Sequence, residues 1–206
     1  TIALIVLTMV ATPILADIAR RVGRHLQSLK DYRELPLPSG GVMSDHVVIG
    51  GFGRVGQAVA TVLTELDVPF VALDSNARLV TTNSLTGCTV YFGDASRKEL
   101  LEGAGAARAR AFVVTVDDSE AAWQVVYSIR ANFPDAPILA RAADARHARE
   151  LLALGAVAVI PETVEASLQL AARLLEKLGF PDEAIAHKIA DLRDRGTARM
   201  KDGPEN

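Results

Sequence analysis

The sequence has 206 residues, enough for one domain and an appendage. Its 22 Lys and Arg against 25 Asp and Glu give a net charge of −3, which argues against a nucleic-acid binder, and its 50% hydrophobic content excludes a disordered chain. A single cysteine, Cys88, excludes an intrachain disulfide framework and a multi-cysteine metal site, and four scattered histidines without HxH or HExxH spacing argue against zinc.

Residues 1–16, TIALIVLTMVATPILA, carry no charge. As a helix they span roughly 24 Å, short of a bilayer core of about 30 Å. Arg20, Arg21 and Arg24 follow, with His25 beside them, whereas a secretory signal carries its positive charges before the apolar run. Residues 1–24 therefore read as the end of a longer transmembrane helix, with the arginines and everything after them on the cytoplasmic side. A buried helix of a soluble protein is the alternative. Residues 25–44 read as a linker, with Pro36, Pro38, Ser39, Gly40 and Gly41, and a domain boundary falls near Ser44.

From His46 onward short apolar runs alternate with amphipathic stretches. The runs are HVVIG (46–50), FVALD (70–74), CTVYF (88–92), AFVVTV (111–116), PILAR (137–141) and AVAVI (156–160). Most are rich in Val and Ile and lack polar alternation, as strands buried on both faces do. Between them lie helical patterns: Val55, Val59, Val62, Leu63 and Leu66 in 54–66; Ala122, Val125, Val126 and Ile129 in 118–132; Leu151 and Leu152 in 145–153, before a stop at Gly155. Six strands with intervening helices predict an α/β, Rossmann-like, doubly wound parallel sheet over 45–160.

The first strand runs into GGFGRVG, where Gly51, Gly53 and Gly56 make GxGxxG. The pattern follows a strand, opens a helix and starts a βαβ unit, the context that makes it a dinucleotide-binding signature. Gly51 permits the tight turn, Gly53 leaves room for a phosphate, and Gly56 allows close helix–strand packing. The amides around Phe52, Gly53, Arg54 and Val55 then form an anion site with the helix dipole. Arg54 opposes that dipole, which makes sense if its guanidinium folds onto a phosphate; a solvated surface arginine is the alternative. Asp74, eighteen residues after Gly56, is placed to accept both hydroxyls of a ribose and to repel a 2′-phosphate, unless it or Ser75 caps the next helix. The third strand ends in Gly93-Asp94-Ala95-Ser96, placing Asp94 and Ala95 beside an adenine or Asp94 at a helix cap. Thr115 and Asp117, at the end of the fourth strand, reach toward the far half of a dinucleotide. Cys88 reads as packing, and His46, His147 and His187 as surface or core rather than catalytic residues.

Residues 162–178 carry one apolar stripe of Val164, Leu168, Ala171, Leu175 and Leu178, with Leu170 and Leu174 off it. A helix apolar on more than one side needs a second partner surface, so 161–195 reads as crossover and dimerisation helices. The tail from about 195 to 206 reads as disordered.

GGFGRVG, the Leu73-Asp74 pair and YFGDASRKELLEGAGAARA (91–109) together resemble the cytoplasmic nucleotide-binding domain of Kef-type potassium efflux antiporters, a domain of the TrkA-N or regulator-of-potassium-conductance type. The likeness covers about 45–180, and Thr12-Pro13 fits the end of such an antiporter's last transmembrane helix. The resemblance implies binding of AMP or NAD(H), with ATP a further candidate. Arg54 matches the phosphate-contacting arginine, Asp74 the ribose carboxylate and Asp94 the position beside the adenine. It also implies a homodimer through the 162–178 helix, a membrane transport domain before Thr1 and transport of potassium or sodium ions against protons across a bacterial inner membrane, with no enzymatic activity. In ILARAAD (138–144) Arg141 is kept but Ala143 replaces the second arginine of the Kef stretch, so glutathione gating is not carried over. A soluble regulator of a separate potassium channel is the second reading. An NAD-dependent oxidoreductase is the third, disfavoured because only 46 residues follow Ile160 (206 − 160).

Overall fold

The computed structural model describes residues 43–84 and 88–202. The expectations for residues 1–24, for the linker up to residue 42 and for 203–206 fall outside them. Among the described residues, no helix is long and apolar enough to cross a membrane.

The six apolar runs form one parallel sheet: β1 (His46–Gly50), β2 (Phe70–Asp74), β3 (Val90–Phe92), β4 (Ala109–Val114), β5 (Ile138–Ala142) and β6 (Ala158–Pro161), in the spatial order β3-β2-β1-β4-β5-β6. Parallel neighbours need crossovers, and helices supply them on both faces. Helices α1 (Arg54–Glu65) and α2 (Ala77–Ser84) cover one face. There Val47, Ile49, Ala72 and Val90 pack with Ala60 and Val80. On the other face lie α3 (Lys98–Gly103), a 3₁₀ turn (Ala106–Arg108), α4 (Ser119–Asn132) and α5 (Ala145–Ala153), over Val48, Leu73, Phe112, Val114 and Ile138. Successive residues of β1 enter opposite cores, so no position in it is free to be polar except one with a built partner. That position is His46, fully buried, with Nε2 2.8 Å from the Ala104 carbonyl oxygen.

The boundaries read from sequence hold for β1, β2 and α5 and shift elsewhere. The third strand begins at Val90, and half-buried Cys88 packs against the α1–α2 core just before it. The fourth spans Ala109–Val114, because a register irregularity beside His46 lets Ala109 pair as well as Ala111. Thr115 and Val116 consequently lie in the turn after β4. In α1, Val59 and Leu63 turn to the core while Val62 is exposed, as is Leu66 just after the helix.

Two further helices complete the described chain, α6 (Glu162–Lys177) and α7 (Asp182–Asp202). No residue of α6 is buried. Val164, Leu168, Ala171 and Leu175 are half-covered, and Leu170, Leu174 and Leu178 are 74%, 58% and 64% exposed. The reading of residues after 195 as disordered is corrected: α7 continues to Asp202. Arg195 bonds back to Asp191, and Met200 is buried in the core on the α5 side. The sheet is also unevenly clothed. On the face covered by α1 and α2, no helix among the described residues lies over β5 and β6, and Leu139 and Ile160 are exposed there.

Arg193 Nε and Nη2 each donate to Glu165 at 2.8 Å, tying α7 to α6. The hydrogen bond from Arg193 holds the Glu165 carboxyl below its ordinary value of 4.5, against a smaller opposing effect of burial. A depressed folded-state pKa stabilises above the unfolded value and is lost as pH falls through the folded one. The stability difference between wild type and Glu165→Gln is therefore expected to be at most about 1 kcal/mol near pH 6. It should shrink as the pH drops below about 4.5, as followed by thermal unfolding at a series of pH values.

Candidate functional site

At the carboxyl end of the sheet the chain goes to opposite faces from β1 and β4, which leaves a crevice between their turns. It measures about 290 Å³ and is lined by the turns after β1, β2, β3 and β4.

The glycine loop shapes its floor. Gly51 sits at φ +93°, where a side chain is strained, and a Cβ there would come within 2.9 Å of the Val116 nitrogen. At Gly56 a Cβ would lie 2.3 Å from the Gly51 carbonyl oxygen, so the first turn of α1 presses directly on the loop. Thr115 fastens the contact from the other side, its Oγ1 donating to the Gly51 carbonyl at 2.8 Å. Gly53 differs: a Cβ there would meet nothing within 4 Å and would project into space the cleft leaves open. It precedes α1 in extended conformation, with no side-chain cap on the helix. The first-turn amides at Arg54, Val55 and Gly56 have no acceptor among the described residues. Such amides and the helix dipole favour an anion.

Asp74 closes β2 and joins it to this loop. One carboxylate oxygen accepts the Phe52 amide at 2.5 Å and the other the Asn76 amide at 2.7 Å. The alternative of Asp74 or Ser75 as helix cap falls away, because the Asn76 side chain caps α2 by accepting from the Arg78 and Leu79 amides. Asp74 is thus a fixed acceptor with lone pairs still open to a hydroxyl donor. Asp94 likewise takes the Ser96 amide at 2.8 Å and does not cap α3, whose cap is Arg97.

Of the residues singled out from sequence, Gly51, Gly53, Asp74, Ser75, Asp94, Ala95, Thr115 and Asp117 line the cleft together. Phe52, Arg54, Val55 and Gly56 do not. Phe52 contributes only its amide, already spent on Asp74, and its ring is buried beside Phe70. Arg54 is exposed at the start of α1. Thr115 is nearly buried and donates its proton to Gly51, a bond that also holds the loop. Sequence reading missed Asn76, Leu79, Val116 and Asp118. Asn76 and Asp118 carry a legible signal, an Asx residue directly before a helix; the Asp118 side chain caps α4 through the Ala121 amide at 2.9 Å. Leu79 and Val116 carry none. His46 and His147 are buried and His187 is exposed, and none lines the cleft.

A sheet wound in this order, with a glycine loop at its switch point and an acid ending β2, defines a Rossmann-type ligand-binding domain. The chain belongs to the TrkA-N domain family, whose model matches residues 47–162. It is 40% identical to K(+) efflux antiporter 1, chloroplastic, of Arabidopsis thaliana over 197 residues, 94% of this chain and 16% of that protein. It is 35% identical to the glutathione-regulated potassium-efflux system protein KefC of Escherichia coli O9:H4 (strain HS) over 197 residues, 95% of this chain and 31% of that one. The chain thus spans less than a third of either relative's length. Among solved structures it resembles the Kef CTD of Shewanella denitrificans in AMP bound form, with TM-score 0.68 and 31% identity over 76% of this chain and 95% of that one.

The packing separates two glycines that look alike in the motif. Gly56→Ala is expected to cost about 1–3 kcal/mol, since backbone must shift. Gly53→Ala should cost under about 1 kcal/mol, the range for a changed N-cap. Urea unfolding of the two variants checks this, and equal losses would contradict the loop geometry.

Proposed function

We propose that this chain is the cytoplasmic regulatory domain of a monovalent cation:proton antiporter, and that its cleft binds an adenine nucleotide, AMP or NAD(H), as a signal rather than a substrate. The observation that carries this is the pairing of an open cradle at Gly53 with a fixed carboxylate at Asp74. The amides of Arg54, Val55 and Gly56 take the phosphate, with the Arg54 guanidinium folding over it. Asp74 takes the ribose hydroxyls, with Ser75 beside it. Asp94 and Ala95 flank the adenine, and Thr115 and Asp117 stand toward the second half of a dinucleotide. The AMP-bound Kef domain supports this reading.

The proposal extends to the rest of the molecule. Residues 45–160 form the nucleotide-binding domain and 161–195 the pairing helices of a homodimer. The bare apolar faces of α6, at Leu170, Leu174 and Leu178, and of the sheet, at Leu139 and Ile160, support pairing. A membrane transport domain before Thr1 carries potassium or sodium ions and protons across the cell membrane, and this domain faces the cytoplasm. The KefC match leaves about ten residues of the chain uncovered, fewer than the sixteen of the apolar segment. It therefore extends into that segment, which favours an antiporter over a separate channel regulator. Gating follows if the ligand binds the two dimer arrangements with different affinity.

Calorimetric titration of the purified chain with AMP, NAD⁺ and NADH should show saturable binding. In Gly53→Val, whose side chain fills the cradle, affinity should fall by about tenfold or more, a loss of about 1.4 kcal/mol. NADPH should bind more weakly than NADH because Asp74 repels its 2′-phosphate. Binding unaffected by Gly53→Val would refute the site.

A further inference from the structure

A chain of charges leaves the cleft and ends on α6. Asp117 lines the cleft in the turn after β4. Its Oδ1 accepts from Arg141 Nη1, at the end of β5. Arg141 Nε donates to Glu162 Oε2 at 2.7 Å, and Nη2 donates to the same oxygen. Glu162 is the first residue of α6. The three side chains differ sharply in exposure: Arg141 15%, Glu162 47%, Asp117 76%. The guanidinium is the enclosed middle, and Asp117 is the end a ligand can reach.

The same corner holds α6 by a second bond, from Thr163 Oγ1 to the Ala143 carbonyl at 2.5 Å. α6 buries no residue, and these two bonds attach its first turn to the end of β5. Asp118 is engaged with the α4 amides, and Asp144 accepts the His147 amide, so neither competes for Arg141.

We propose that Arg141 is a positioning residue that couples ligand at the Asp117 end of the cleft to the placement of α6, and that a dinucleotide, but not a mononucleotide, engages it. The inference rests on the nucleotide reading above. A mononucleotide that places its ribose at Asp74 and its phosphate on α1 ends at the glycine loop. A dinucleotide crosses the switch point toward β4. Its second ribose donates hydroxyls to the Asp117 carboxylate, in competition with Arg141 Nη1. The guanidinium then bears on Glu162 alone. Ligands that share the adenosine subsite thereby send different signals.

Hydrogen exchange of the amides in 162–170 of the purified full chain, held in mild detergent, tests this. In wild type, saturating NADH is expected to change their exchange rates by about fivefold or more, the lower range of allosteric couplings, and AMP by less than about twofold. Arg141→Gln and Glu162→Gln should each bind NADH within about threefold of wild type yet lose the NADH-dependent change. Glu162 is half-exposed, so its variant keeps the test alive if the first folds poorly. A merely structural role for Arg141 would raise exchange with and without NADH while keeping the difference, and that result overturns the proposal. So does an AMP effect as large as that of NADH, or NADH binding without any change in wild type. If neither nucleotide binds wild type, the proposed function itself falls.

Discussion

Everything at the carboxyl end of the sheet depends on one close approach, the first turn of α1 against the carbonyl of Gly51. A methyl group at Gly56 would lie 2.3 Å from that oxygen, so the contact exists only because no side chain is there. Thr115 donates to the same carbonyl from β4's turn. The oxygen is therefore boxed in by a helix on one side and a strand end on the other. This fixes where the helix axis points, hence where its unpaired amides point. It also fixes Phe52, whose amide reaches Asp74. Three turns from three strands are registered to each other through a single peptide group, so the cleft is shaped before any ligand arrives.

The electrostatics of that cleft are unusual for an anion site. Among the described residues its lining includes Asp74, Asp94, Asp117 and Asp118 and no lysine or arginine. Each acid is already an acceptor within the chain: Asp74 for two amides, Asp94 for Ser96, Asp118 for Ala121 and Asp117 for Arg141. These bonds orient their remaining lone pairs. The cleft thus offers rigid acceptors for hydroxyls around a small patch of backbone donors for phosphate. Discrimination follows from that geometry. Donor-rich sugars fit the acids, while extra phosphate groups outside the amide patch meet like charge.

The parts legible in the sequence were those where one physical demand dominates. Strands buried on both faces have to be continuous apolar runs, so β1 and β2 showed their limits, and Gly51-Phe52-Gly53 marked the switch point. Asp74 was legible because its spacing from the loop is dictated by one helix and one strand. Thr115, at the end of the fourth predicted strand, also bonds Gly51 across 64 residues, a partner no local pattern reveals. The register irregularity at His46 moved β4 for the same reason. The end of α7 beyond residue 195 is hard to read because it is polar, carries Gly196 and is anchored by the isolated Met200 rather than by a continuous stripe. Arg141 stood out only by likeness, since nothing in ILARAAD shows that it lies between Asp117 and Glu162.

The last strand of the sheet is four residues long and finishes in Pro161, opposite Ala142. Proline offers no amide proton, and so short a margin gives another chain little to zip onto. Open-ended growth of one sheet into the next is blocked at that side. A molecule with an uncovered apolar flank at Leu139 and Ile160 is thereby protected from the commonest route to fibrils at this margin.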